Sequence, residues 1–287
     1  MASSGEIDAC GSTAYNAPDA SEEVLMLDAV VTAGYDPQRP DPLATAVGAP
    51  QKALIDVAGR PLVWWTVDAL RRSPSIGRIV VVGIDPSLQV DLGPGVACLP
   101  NLPDHLENVL HGINYLLSHQ PDMEYGIIAS GDVPLLRPET VTWFISACLA
   151  DRYDLYYSIV QDRVMEAQFP GAGRSYVRIK EGRFCGGDLF LVKTSVFQAN
   201  LPLARRLMAE RKHPLRQARL FGWRTLAKVV LGRLSIAEGE QVASRLLGCR
   251  AKVVISPYAD LGMDVDKPHQ LEMARRLLAA RVEAQTA

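Results

Sequence analysis

Short runs of β-branched residues alternate with longer amphipathic stretches over about the first 150 residues, and this alternation limits the folds open to the chain. The short runs predict strands, and the stretches between them have apolar residues at helical spacing. Strands that alternate with helices favour an α/β fold with a mostly parallel sheet flanked by helices. The predicted strands are residues 26–33, 78–84, 96–99 and 125–130, and the predicted helices are residues 61–72, 104–118 and 138–150.

The pattern changes after residue 151. Residues 154–160 and 175–193 predict further strands, the second interrupted by turns at Glu181-Gly182 and Gly186-Gly187. A nearly continuous helical block follows, a strand is predicted again at 251–258, and a last helix begins near Pro268. Because the strand pattern resumes, we expect one domain over residues 25–287 with a helical insertion at about 201–248. Residues 1–24 are rich in Ser, Ala, Gly and acidic residues and predict a disordered tail.

The composition is that of an ordinary soluble globular protein. Of the 287 residues 48% are hydrophobic and 22% charged, and the formal net charge of −2 argues against whole-surface binding to nucleic acid. No apolar run approaches the length of a membrane span, and the first residues lack the features of a secretory signal. The five cysteines are scattered, which is typical of a reducing compartment. We therefore expect a cytoplasmic protein without a transmembrane segment.

An aspartate follows the predicted strand at 125–130, in "SGDVPLL". Ligands of open α/β sheets bind at the carboxyl ends of the strands. Asp132 is therefore predicted to lie at the mouth of a site, where Mg²⁺ with phosphate oxygens needs carboxylate ligands. The alternative is that Gly-Asp-Val-Pro is an ordinary turn at the end of a strand.

A second acidic cluster, "GMDVDKP", lies near the C-terminus. In an extended backbone Asp264 and Asp266 point to the same side. If that side faces Asp132, three acids converge on a metal ion, which would offset their mutual repulsion. The alternative is that Asp266 caps the helix that begins near Pro268.

The segment after the first strand has the outline of a phosphate loop. Ala33 and Gly34 form a turn of small residues, and Lys52 in "APQKALIDVAGRPLV" is a cation that can lie along triphosphate oxygens. Arg39 is the other cation of the segment. For both cations the alternative is a solvated surface side chain. The four prolines between Tyr35 and Pro50 predict a stiffened lid or mobile flap rather than a tight cradle.

Two further features point to an acceptor. Asp188 follows two glycines that let a backbone approach a ligand or form a bulge, and it is a candidate polar contact. Between Leu203 and Arg233 nine Arg and Lys residues accompany a single acid. This basic helical block indicates a solvated face, a site for an anionic acceptor, or a membrane-surface contact. Arg211 and Lys212 are the first candidates for contacts with an acceptor phosphate.

Taken in order, these pieces resemble the MobA-like NTP transferase family. The matches are "VTAG", "QKALIDVAGRPLV", "GDVPLL" and "DVDKPHQL". The resemblance covers roughly residues 26–160 and 250–280 and implies a Rossmann-like sheet of the GT-A type. The helical stretch "LENVLHGINYL" resembles the family's helix that faces the nucleotide, which makes Asn108 a candidate on the base or ribose side. The helical block is not part of the minimal family fold.

The resemblance implies transfer of a nucleotide from an NTP to a small phosphorylated acceptor, with release of pyrophosphate. CTP and GTP are the favoured donors. The triphosphate would be held by the backbone of Ala33 and Gly34 and by Lys52, and Mg²⁺ or Mn²⁺ by Asp132 with Asp266, or alternatively Asp264. Asp36 stands where the family has its second glycine, and Arg39 lies one position later than the family arginine. Partners other than the acceptor could include a second copy of the chain.

Two other functions fit parts of the sequence. A GT-A glycosyltransferase would use "DVD" as its metal motif and a nucleotide-sugar as donor, but such enzymes usually place that motif centrally. A catalytically degenerate nucleotide-binding module would fit the altered loop, but not the presence of Lys52, Asp132 and Asp266 together.

Overall fold

A computed structural model describes residues 26–199 and 222–286. Eight strands form one sheet in the order β10-β7-β9-β6-β1-β4-β5, with β8 beside β9, while β2 and β3 form a small hairpin. The strands are β1 (Leu27–Thr32), β2 (Asp56–Val57), β3 (Arg60–Pro61), β4 (Ile76–Val82), β5 (Val96–Leu99), β6 (Tyr125–Ser130), β7 (Leu155–Gln161), β8 (Val177–Ile179), β9 (Gly182–Lys193) and β10 (Ala251–Ser256).

The sheet is mostly parallel, and its one long antiparallel strand divides it. Strands β6, β1, β4 and β5 run parallel to one another, as do β10 and β7. Strand β9 lies antiparallel between β6 and β7. The carboxyl ends of β1, β4, β5 and β6 consequently meet at one edge of the sheet. This is the edge at which open α/β sheets bind ligands.

Helices cover both faces of the sheet. The helices are α1 (Pro42–Val47), α2 (Leu62–Arg71), α3 (His105–His119), α4 (Pro138–Leu149), α5 (Asp162–Gln168), α6 (Thr194–Ala199), α7 (Trp223–Val230), α8 (Ile236–Leu247) and α9 (Pro268–Thr286). Helix α3 packs its apolar side on Val30, Val80 and Val82, and the opposite face of β1 packs with α2 and α4. A further core cluster joins α1, the β2–β3 hairpin and α9 beneath the site described below.

Residues 26–150 contain the strands and helices that their pattern predicts, and the mostly parallel α/β sheet is confirmed. One local prediction was wrong. Strand β9 runs through Gly186-Gly187 instead of stopping there, because its register shifts relative to β7 at this point. The predicted lid contains helix α1, whose start is capped by the Asp41 side chain and whose Leu43 and Ala44 are buried. The apolar contacts of these two residues, which are not visible in the local sequence, anchor the second half of the segment.

The predicted tail at residues 1–24 lies outside the described residues. Of the predicted helical block, residues 222–248 are described, and they contain α7 and α8. Helix α8 begins with a capping box between Ser235 and Glu238. In the portions of the chain that the structure describes, no helix combines the length and apolar character needed to cross a membrane.

Candidate active site

The site lies where β1 and β6 end side by side. The two strands are parallel, and beyond their last pair the Gly131 N–H donates to the Thr32 carbonyl at 2.9 Å. This contact brings the turn at Ala33 and Gly34 next to the loop that carries Asp132. Of the two predicted phosphate donors, the Ala33 N–H is already used, because it donates to the Val82 carbonyl at 2.7 Å. No hydrogen bond among the described residues uses the Gly34 N–H, so this second donor is free to bind an anionic oxygen.

Lys52 lies between two of the predicted acids. Its Nζ donates to Asp132 Oδ2 at 2.5 Å and also to Asp266 Oδ1. The lysine and Asp132 side chains are 18% and 21% exposed, whereas Asp266 is 56% exposed. Burial disfavours the charged form of Lys52, but the charges of Asp132 and Asp266 and their hydrogen bonds outweigh burial and raise its pKa. The lysine is therefore held as an ammonium ion between two carboxylates.

Backbone and side-chain hydrogen bonds fix these carboxylates from behind. The Val265 N–H donates to the Asp132 carbonyl at 3.0 Å, which joins the two acidic loops. Ser130 Oγ donates to Asp132 Oδ1 at 2.6 Å. The buried Gln270 side chain accepts from the N–H groups of Asp266 and Lys267, each at 2.9 Å. The Gln270 side chain thus satisfies the backbone N–H groups before α9, and the Asp266 carboxylate remains available to accept from Lys52.

Asp188 reaches the same region from a bulge in β9. Tyr157 pairs with Phe190 and Ile159 with Gly186, so three residues of β9 lie opposite Ser158 alone. Bulges of this kind redirect side chains near active sites. Asp188 Oδ2 is buried and has no hydrogen-bond partner. Burial first, and then the neighbouring Asp132, raise the pKa of Asp188 to about 8.

Asp264 has a different partner from Asp266. It forms an ion pair with Arg174, and the two side chains are only 15% and 12% exposed. Within residues 26–199 and 222–286 no group of three or more His, Cys, Asp or Glu side chains is arranged to hold a metal ion. The prediction that three acids converge is corrected accordingly, because the chain supplies Lys52 and Arg174 as separate counter-charges.

Two other predicted site residues make local hydrogen bonds. Asn108 is buried, and its amide binds the N–H and carbonyl of Leu102 and the Asn101 side chain, so in this structure it supports the loop at residues 101–102. Arg39 is exposed, and its N–H donates to the Asp36 carbonyl in a local turn. A direct role for Asn108 would require its amide to leave these partners.

The acceptor candidates Arg211 and Lys212 lie outside the described residues. The described end of the basic block, α7, has Trp223 62% exposed and Val230 77% exposed. Lys228 on the same helix forms an ion pair with Glu238 of α8 at 2.6 Å. This end of the block therefore combines exposed apolar surface with a cation that is already paired.

Sequence reasoning missed Arg174, Asn101 and Gln270. All three act through partners distant in the chain: Arg174 through Asp264, Asn101 through Tyr35, and Gln270 through Ala172, whose carbonyl accepts from its amide. Arg174 and Asn101 lie in loops without periodicity. Only Gln270 could have been found from the sequence, because a glutamine on the first turn of a helix next to an acidic motif can bind the backbone at the start of that helix.

Comparison with known proteins places this geometry in a family. The model of the MobA-like NTP transferase domain matches residues 43–253. This range includes Lys52, Asp132 and Asp188, begins after Gly34 and ends before Asp266. A molybdenum cofactor guanylyltransferase of Rhodopseudomonas palustris (strain BisB5) is 30% identical over 116 residues, which are 39% of this chain and 54% of that protein. The chain thus spans about half the length of this curated relative.

Solved structures show the same fold. A hypothetical transferase from Thermus thermophilus is 37% identical with a TM-score of 0.75, and the match covers 86% of this chain and all of that one. A CMP:2-keto-3-deoxy-manno-octonic acid synthetase, complexed with CTP, is 17% identical with a TM-score of 0.55 over 89% of this chain and 99% of its own. The predicted family is confirmed. The chain belongs to the MobA-like NTP transferase domain family.

Proposed function

We propose that this protein transfers a nucleotide from an NTP to a phosphorylated small molecule and releases pyrophosphate. The observation that carries the proposal is the position of Lys52, between Asp132 and Asp266 at the sheet edge that also carries the free N–H of Gly34. A triphosphate needs backbone donors, a mobile cation and metal-binding oxygens close together. All three are within this one edge.

The donor set fits a divalent cation. Asp132 and Asp266 direct carboxylate oxygens to one point, which the Lys52 ammonium now neutralises. Mg²⁺ is commonly bound by one or two carboxylates together with substrate phosphates and water, so the lack of a third acid is compatible with it. Asp132 and Asp266 would hold Mg²⁺ or Mn²⁺, which supplies neutralisation of the triphosphate charge. Asp264 is less suited because Arg174 engages it.

The residues of the chain then have separate tasks. Gly34 donates its N–H to a phosphate oxygen, and Lys52, released from the carboxylates, lies along the triphosphate. An oxygen of the acceptor phosphate attacks the α-phosphorus in line, the new P–O bond forms, and the bond to pyrophosphate breaks. Since a phosphate is already nucleophilic at neutral pH, positioning and charge neutralisation supply most of the rate enhancement.

Asp188 is proposed to contact the acceptor. Its buried oxygen without a partner would be satisfied by a hydroxyl or ammonium group next to the attacking phosphate. The name of the Rhodopseudomonas relative supports GTP as the donor, and CTP is the second donor to test. We also propose that the basic block contacts a membrane surface and that the chain forms a homodimer. A cytoplasmic location is proposed too, and the free thiols of the described cysteines are consistent with a reducing compartment.

A pyrophosphate-release assay tests the proposal. Wild-type protein is incubated with Mg²⁺, each of the four NTPs, and a panel of sugar, polyol and lipid-headgroup phosphates. We expect release with one acceptor class and one preferred base. Lys52→Met should lower the rate about 100-fold or more, because it removes a charge that contacts the reacting triphosphate.

Lys180→Met is the matched control, because Lys180 is 56% exposed and its one ion-pair partner among the described residues, Glu238, is as far away as 3.9 Å. It should release pyrophosphate at the wild-type rate. Equal loss in both variants would contradict a specific role for Lys52. Transfer from a nucleotide-sugar, with no pyrophosphate from any NTP, would replace the proposal with glycosyl transfer.

A further inference from the structure

The segment that leads away from the site, residues 34–40, has few contacts of its own. All seven residues are exposed. Its local hydrogen bonds are those from the Gln38 N–H to Asp36 Oδ1 at 2.9 Å and from the Arg39 N–H to the Asp36 carbonyl at 3.0 Å. These bonds shape a turn but do not fix the turn to the sheet.

One side chain fixes this segment to the rest of the molecule. Asn101 Oδ1 accepts from the Tyr35 N–H at 3.1 Å, and Asn101 Nδ2 donates to the Tyr35 carbonyl at 2.8 Å. The amide thus pairs with both backbone groups of Tyr35, as a residue of a neighbouring strand would. Among the described residues, these two bonds are the only hydrogen bonds that join residues 34–40 to another part of the chain.

Asn101 is itself held in place from α3. Asn108 Nδ2 donates to Asn101 Oδ1 at 3.3 Å, and the Asn108 amide also binds both backbone groups of Leu102 at 2.8 and 3.1 Å. Asn108 lies on the first turn of α3, whose start is capped by Asp104. A continuous series of hydrogen bonds therefore runs from a capped helix through Asn108 and Asn101 to Tyr35.

The same two amides pack against Gly34. A Cβ on Gly34 would lie 2.5 Å from Asn108 Nδ2 and 3.0 Å from Asn101 Oδ1. The free N–H of Gly34 is consequently positioned by contacts on one side and by the Tyr35 pairing on the other. Neither amide reaches the carboxylate cluster through any hydrogen bond of the described residues, so both act on the loop.

We propose that Asn101 is a positioning residue for nucleotide binding: its side-chain amide fixes the Tyr35 peptide and thereby holds the Gly34 N–H toward the triphosphate. This inference rests on the proposed function of the site. A loop that is already fixed loses less conformational freedom when the nucleotide binds. Removal of the amide should therefore weaken NTP binding and leave the chemistry of the bound complex unchanged.

The test uses the full chain with Mg²⁺ and the preferred NTP. Asn101→Ala should raise both the KM for the NTP and its calorimetric Kd about 3- to 30-fold, the range expected for two hydrogen bonds of modest net strength, with kcat within about twofold. Asn101→Asp keeps an acceptor for the Tyr35 N–H but cannot donate to its carbonyl. It should raise Kd further, because it also adds negative charge near the triphosphate.

Hydrogen exchange separates positioning from a general effect on stability. In Asn101→Ala without nucleotide, the Tyr35 amide should exchange faster while amides of β1 and β6 keep their wild-type rates. Asn114→Ala, at an exposed position on α3, is the matched control and should match wild type in Kd and in Tyr35 exchange.

Wild-type Kd in Asn101→Ala, or unchanged Tyr35 exchange, would overturn the inference and leave the proposed function standing. A loss of kcat with unchanged Kd would also overturn it. Failure of the proposed function is a distinct outcome, in which the wild-type protein itself binds no NTP.

Discussion

At the scale of single residues, the site contains one buried carboxyl group, that of Asp188, whose Oδ2 has no hydrogen-bond partner among the described residues. Asp132 and Asp266 share Lys52, and Asp264 has Arg174. A buried carboxylate without a partner costs stability and is often retained where it serves a ligand. We therefore expect that replacing Asp188 increases the stability of the fold and reduces activity.

Asp188→Asn should stabilise the fold, and more so as the pH rises. The folded-state pKa of about 8 lies above the ordinary value for aspartate, so the folded protein retains a proton that the unfolded chain releases near pH 4. Wild-type stability should thus fall as the pH rises between these values. The stability of Asp188→Asn should not fall in this way, because asparagine does not titrate. In urea unfolding, the free energy of unfolding of Asp188→Asn should equal that of the wild type at pH 4 and exceed it by on the order of 5 kcal/mol at pH 8.

The matched control is Asp122→Asn, because Asp122 is exposed. Its stability should match that of the wild type at both pH values. In the pyrophosphate-release assay Asp188→Asn should also use the acceptor less well. If the Asp188 variant were less stable than wild type at pH 8, the carboxylate must have a stabilising partner, and the acceptor role would be wrong.

How far the site can be read from the sequence also depends on single residues. The sequence selected Lys52, Asp132 and Asp266, which the structure brings into contact, because each lies in a motif next to a strand end or helix start. Asp264 could not be separated from Asp266 by the alternation of an extended backbone alone, since the difference comes from Arg174, ninety positions away. The support that Asn108 gives to Asn101 depends on the turn between them, which the sequence does not specify.

At the scale of elements, the bulge in β9 positions Asp188, the proposed acceptor contact. Ser158 Oγ donates to the Leu189 carbonyl at 2.8 Å and fixes the bulge from β7. Gly187 lies against Ser158 and Leu261, where a Cβ would overlap with both side chains. The sequence indicated glycines suited to a bulge or a close approach, but it predicted a break in the strand. The continued pairing of β9 with β6 and β7 on either side could not be read locally.

Gly187→Ala should lower the free energy of unfolding by about 1–3 kcal/mol, as overpacking of a buried site does, and should displace Asp188. Gly126→Ala in the neighbouring β6 is the matched control, because its Cβ would meet nothing closer than Met123 Cε at 3.8 Å. Urea unfolding measures both variants. Equal midpoints for Gly187→Ala and wild type would show that the bulge can relax, and Gly187 would not be required to shape it.

At the scale of the whole molecule, the sheet order brings distant segments to one edge. Residues 33–34, 52, 132 and 266 come from four separate parts of the chain and meet because β1 and β6 are adjacent and parallel. Strand–helix alternation predicted this arrangement, since the hydrophobic period fixes element type and parallel sheets place their carboxyl ends together. Alternation does not predict the insertion of β9 between β6 and β7, which depends on pairing over a long sequence distance.

The central claim is that the α-phosphorus of an NTP is attacked at the Lys52 site. The most direct test follows label from NTP carrying ³²P at the α or the γ position, with Mg²⁺ and the accepted phosphate. The proposed reaction predicts α-label in the acceptor product and γ-label in pyrophosphate, with both signals lost in Lys52→Met and kept in Lys180→Met. Appearance of γ-label in the acceptor product, or α-label that never leaves the nucleotide with any acceptor, would contradict nucleotidyl transfer.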